Sequence, residues 1–158
     1  TPEGGTLASM GLSPMHFYDS ELQILIKVNP DLNETQQALV LAHEIMHLIL
    51  IQISRDAGSE DALRLNNRDL WDAIEKYNNL PATLDKTVNQ FNYGHHEYMG
   101  YHVDEIEDIL REVYPERDEK FYEYGKWGGG VYNSEAFREL DRDERRDIRR
   151  YLRKEHLL

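Results

Sequence analysis

No cysteine occurs in the 158 residues, so neither a disulfide framework nor a thiolate metal ligand is open to this chain. Any metal it binds must be held by His, Asp or Glu. The same absence leaves the redox compartment open, since a thiol-free domain tolerates either environment. Cations are also short: 18 Lys and Arg stand against 30 Asp and Glu, a net charge of −12. That balance excludes nucleic acid as the main partner, which would need a basic surface, and reads chiefly as solubility. No charged stretch followed by an apolar signal-type core appears. The chain begins Thr1-Pro2-Glu3-Gly4-Gly5, without Met, and is expected to be an excised or processed piece. A membrane span is not expected either, because it needs about twenty residues nearly free of ionisable groups. The one strongly apolar run, residues 38–51, falls short of that length and carries a carboxylate.

That run reads ALVLAHEIMHLILI and sets His43, Glu44 and His47 among Ala, Leu, Val, Ile and Met. On a helix, His43 and His47 are one turn apart and point the same way, so two imidazoles can take adjacent corners of a tetrahedral zinc. Glu44 then sits beside the metal, free to take a proton from water rather than ligate, the division of labour behind the H-E-x-x-H signature. A carboxylate in such a run costs several kcal/mol, as an order of magnitude, without a partner. A cation is that partner.

The length suits one domain with a sizeable core. Residues 1–14 are rich in Gly, Ser, Thr and Pro and read as a linker, which leaves residues 15–158 as the domain. Residues 15–18 and 22–28 are β-prone runs around Asp19-Ser20-Glu21, a hairpin signal in which His16 is a strand or loop residue rather than a ligand. As a strand beside the metal helix, this hairpin would be the edge that pairs with extended substrate. Either Asp31 with Glu34 or Asn33 with Gln36 caps a helix over residues 34–53. Two polar helices follow near residues 68–78 and 81–91, and a charged, ion-paired helix closes the chain, capped by Asp141 with Glu144. The predicted fold class is α+β: a small hairpin or sheet packed on a buried zinc-binding helix, with a mainly helical remainder.

A catalytic zinc usually has three protein ligands and one open position, so a third ligand is required. The metzincin continuation is absent after His47. The next dense patch is GHHEYMGYH, residues 94–102, read as the start of a helix that runs to about Val113 with Met99, Val103, Ile106, Leu110 and Val113 as its inward stripe. On that wheel His95, His96 and His102 lie near the stripe, Glu97 points away, and Glu107 sits at its edge. Periodicity does not choose among the three histidines. Tyr98, Tyr101, His95 and His102 are candidates for stabilising a developing oxyanion. Lys126-Trp127-Gly128-Gly129-Gly130 lacks the Lys-Ser/Thr ending of a phosphate loop and reads as a structural turn packed by Trp127.

HEIMH, then HHEYMGYHVDEIEDIL, then YEYGKWGGGVYNSEAF together resemble zincin-like metallopeptidase domains of Bacteroidetes proteins, found at the end of larger secreted or polymorphic-toxin-like chains. The resemblance covers roughly residue 28 to the C-terminus and rests on these three short motifs. It implies zinc ligands at His43, His47 and His96, with Glu44 as base. The expected activity is zinc-dependent hydrolysis of peptide bonds in a protein or peptide substrate. Two alternatives stand beside it: a zinc-binding module that only binds another protein, and an amidase acting on cell-wall peptide.

Overall fold

The computed structural model describes residues 8–12, 24–77 and 86–158. The central helix, α1 (Glu34–Ala57), opens on a capping box. The Asn33 side chain accepts from Gln36 N at 2.9 Å, and the Gln36 side chain accepts from Asn33 N at 2.9 Å, so two otherwise free N–H groups are satisfied reciprocally. Of the two predicted caps, this one forms. The helix stops at Gly58, whose φ of 76° is one that a side chain would disfavour. There follow α2 (Glu60–Asn66), α3 (Arg68–Glu75), α4 (Lys86–Tyr101), α5 (Val103–Val113), α6 (Glu119–Gly125), a 3-10 turn (Val131–Asn133), α7 (Glu135–Glu139) and α8 (Arg142–Lys154). Ser59, Asp118, Ser134 and Asp141 each cap a helix through a side-chain oxygen.

The α+β expectation is corrected by this architecture, which is all-helical: every regular element from residue 29 onward among the described residues is a helix. The strand signal in residues 22–28 yields only Ile24–Val28, paired antiparallel with Ala8–Leu12, Ala8 opposite Val28 and Leu12 opposite Ile24. This ribbon runs beside α1. Two strands of five residues make no sheet layer, and the core is closed by helices instead. Residues 15–18 and His16 lie outside the described residues.

Leu39, Met46 and Leu50 of α1 meet Leu70 and Trp71 of α3, Met99 of α4, Ile106 and Leu110 of α5, and Phe121, Trp127, Phe137, Ile148 and Leu152 from the C-terminal third. Each such side chain contributes about 1.5–3 kcal/mol by leaving water. At 24 residues α1 is in fact long and apolar enough to cross a membrane, so length does not exclude a span as the run 38–51 suggested. Half of its most apolar window is buried inside the molecule, against the ribbon and other helices.

The second correction concerns the histidine patch. Residues 94–101 form the C-terminal half of α4 rather than the start of a helix reaching Val113, and the chain breaks at His102 before α5. Gly94, read as a helix start, is where α4 crosses α3: a Cβ there would lie 2.8 Å from Ile74 Cα. The break re-sets the helical wheel. Glu97, expected to point outward, is buried at 4% exposure.

Candidate metal centre

His43 and His47 project from successive turns of α1 and meet His96 from α4. Their Nε2 atoms converge: His43 to His47 is 3.1 Å, and each stands 3.2 Å from His96. Neutral imidazoles offer one lone pair and one N–H each, so three ring nitrogens this close have no mutual pairing that serves all of them. A cation serves all three. Two nitrogens on a tetrahedral ion at about 2.0–2.1 Å would stand about 3.3 Å apart, close to the spacing found. His43, His47 and His96 can therefore hold a metal ion.

Electrostatics prepares the same role. Burial first, and then the neighbouring imidazoles, hold His43 and His47 far below the ordinary histidine range. Burial alone takes His96 down to about 4. All three are neutral near pH 7, with lone pairs available. Glu44, three residues before His47 and so a neighbour on the helix surface, is 7% exposed and has no hydrogen-bond or ion-pair partner among the described residues. Burial pushes its carboxyl up to about 7.

His95 is not in the triad. It is fully buried behind His47, with Nδ1 2.8 Å from His47 Nδ1. If His47 turns its Nε2 lone pair to a metal, its Nδ1 carries the proton and donates to His95, which fixes ring orientation as outer partners of metal-bound histidines do. The other sequence candidates fall elsewhere. His102 stacks on Tyr98 at 4.1 Å and lies 3.5 Å from Glu105 and 3.9 Å from Asp69. Tyr98, Tyr101 and His102 line a cavity with Lys76, Glu97 and Glu135 that includes none of the triad. Tyr101 is 57% exposed. Glu107 is bound by Lys126 at 2.6 Å and Arg111 at 2.8 Å. None of these four residues joins the histidine cluster.

The glycine turn, in contrast, does. Gly129 and Gly130 have φ of 68° and 101°. A Cβ at Gly129 would lie 2.7 Å from Cγ and Nδ1 of His43, and one at Gly130 2.8 Å from Cε1 of His96. The main chain thus lies directly against two of the three rings. Sequence reasoning saw the glycine run and Trp127, which is buried edge-on to Phe137, but had no signal for what the turn touches.

Compared with family models, curated proteins and solved structures, the chain matches none.

Proposed function

We propose that this chain is a zinc-dependent peptidase in which His43, His47 and His96 hold the metal and Glu44 is the general base. The observation that carries the reading is the convergence of three neutral Nε2 atoms, two of them on the helix that also carries Glu44, a carboxylate without a partner among the described residues. Zinc is favoured over softer or harder ions by an all-imidazole donor set of three. Bound there, zinc would supply Lewis acidity toward a scissile carbonyl and make water more acidic. With zinc held there, Glu44 would be the residue to accept a proton from water and pass it to the leaving amine. His95 holds His47 in the tautomer that ligates through Nε2. The likeness to zincin-like domains is part of this proposal and is carried by motifs rather than by fold.

The test is elemental analysis of purified wild type, His96→Ala and His102→Ala, followed by a peptide-library assay of wild type and Glu44→Gln. One zinc per chain, retained by His102→Ala and lost by His96→Ala, with cleavage abolished in Glu44→Gln, is the expected result. No zinc after reconstitution would sink the reading. Full zinc without hydrolysis of any peptide or cell-wall amide would leave a binding module in its place.

A further inference from the structure

The Gly128-Gly129-Gly130 turn, between α6 and the 3-10 turn, packs against a histidine from each of α1 and α4, and its surroundings are tight on both sides. Toward α1, a Cβ at Gly125 would stand 2.4 Å from Leu39 Cδ2, while Trp127 is buried in the core. Toward α4, a Cβ at Gly100 would stand 2.3 Å from Ser134 Oγ, and the Glu97 carboxylate accepts from Glu135 N at 3.1 Å. The turn is therefore pinned to α1 before the glycines and to α4 after them. Between the pins, the main chain presses on His43 through Gly129 and on His96 through Gly130. His43 Nδ1 is a buried ring nitrogen with no hydrogen-bond partner among the described residues. Contact with the turn, rather than a hydrogen bond at Nδ1, is what confines that ring.

We infer that Gly129 and Gly130 are positioning residues: a two-glycine backstop that sets the His43 and His96 rings at the angles at which their Nε2 atoms meet, so that metal affinity depends on the absence of a side chain at both positions. The inference rests on the metal-site reading above. Only glycine fits, for two separate reasons, since the positive φ disfavours a side chain and the imidazole occupies the space. The two reasons can be separated within this same chain. Gly58 has φ 76° at the end of α1, and a Cβ there would meet nothing within 4 Å. Alanine at Gly58 carries the backbone penalty without the collision.

The experiment is a metal titration of the metal-stripped full chain against a chromogenic chelator, with zinc for affinity and cobalt(II) for its visible absorption. It compares wild type with Gly58→Ala, Gly129→Ala and Gly130→Ala, each checked for helical content by circular dichroism. Gly129→Ala and Gly130→Ala are expected to bind about 10–100-fold more weakly, the range for lost outer support of a metal ligand, with a changed cobalt spectrum. Gly58→Ala should keep wild-type affinity and spectrum. Because the two glycines press on different rings, either variant that folds is sufficient for the test. Wild-type affinity and spectrum in a folded Gly129→Ala or Gly130→Ala would overturn the inference alone, as would an equal loss in Gly58→Ala. A wild type that takes up no metal would overturn the metal reading, and the backstop with it.

Discussion

Glu44 and Glu97 are two carboxylates buried to nearly the same depth, at 7% and 4% exposure, on the two helices that supply the histidine cluster. Their surroundings are opposite. Glu97 accepts from Tyr77 Oη at 3.0 Å and from Glu135 N at 3.1 Å, with Lys76 Nζ at 3.4 Å. It ties α4 to the end of α3 and to the first turn of α7, and the fold supplies every group it needs. Glu44 has none of this, and burial alone leaves its carboxyl near 7. A buried charge that the chain itself satisfies is architecture, whereas one without a partner, a single turn from a convergent set of lone pairs, is the residue on which the proposed function turns.

The largest expected effect that would sharpen this contrast is on Glu44. Glu44→Gln should lower peptide hydrolysis by about 10²–10⁴-fold, the usual share of a general base, while zinc content stays at one per chain. Its effect on stability should carry the opposite sign to a normal buried substitution. In chelator at about pH 8, removing an unpartnered buried carboxylate should leave the melting temperature equal to or above wild type. A clear drop in melting temperature would mean that Glu44 has a structural partner and that the contrast with Glu97 fails.

Glu97→Ala should do the reverse. It strands the Tyr77 hydroxyl and the Glu135 amide, at a cost of about 2–3 kcal/mol, or roughly 4–12 °C in melting temperature for a chain of this size. Unchanged thermal stability would remove Glu97 from the architecture. Between these two lies His95, buried like both but within hydrogen-bond distance of His47 of the triad. His95→Leu keeps the bulk and loses the acceptor for His47 Nδ1, so zinc affinity should fall about 10–100-fold with the helical signal intact. Wild-type affinity in that variant would show that His47 holds its tautomer without help.

Much of α1 was legible because its information is local. The Asn33–Gln36 capping box, the apolar run and the one-turn spacing of His43 and His47 are all read within a few residues, and the structure has each of them. The α4 patch was only half legible. Its histidines stood out by composition, but the wheel that set them apart from Glu97 assumed one helix across residues 94–113, and the break at His102 rotates everything before it relative to the Ile106 and Leu110 stripe. Glu97 was therefore sent outward when it faces in. The fold class was misread because the β-prone run 22–28 pairs only with Ala8–Leu12 and builds no sheet layer, and pairing partners are not legible locally. The role of Gly129 and Gly130 was not legible at all. Close approach of main chain to a ring some 86 positions away, Gly129 against His43, leaves no periodicity, only a run of small residues that a plain turn would share.

The smallest predicted effect isolates the Glu97 cluster from the metal centre. Tyr77→Phe removes the hydroxyl that donates to Glu97 Oε1 and leaves the ring against Tyr93 at 5.5 Å, with Lys76 and the Glu135 amide still on the carboxylate. One hydrogen bond out of three is lost and no buried donor is stranded, so the cost should be about 1 kcal/mol, or roughly 2–4 °C. Burial first, and the bond to Glu97 next, push the Tyr77 hydroxyl up to about 12. It stays protonated from about pH 6 to 9, so the difference from wild type should be flat across that range. Zinc affinity should not move. Thermal melts and a chelator titration on the same variant decide the matter: a loss of affinity would mean that Glu97, one residue from His96, transmits strain into the triad, and the two carboxylates would then belong to one coupled unit rather than to separate roles.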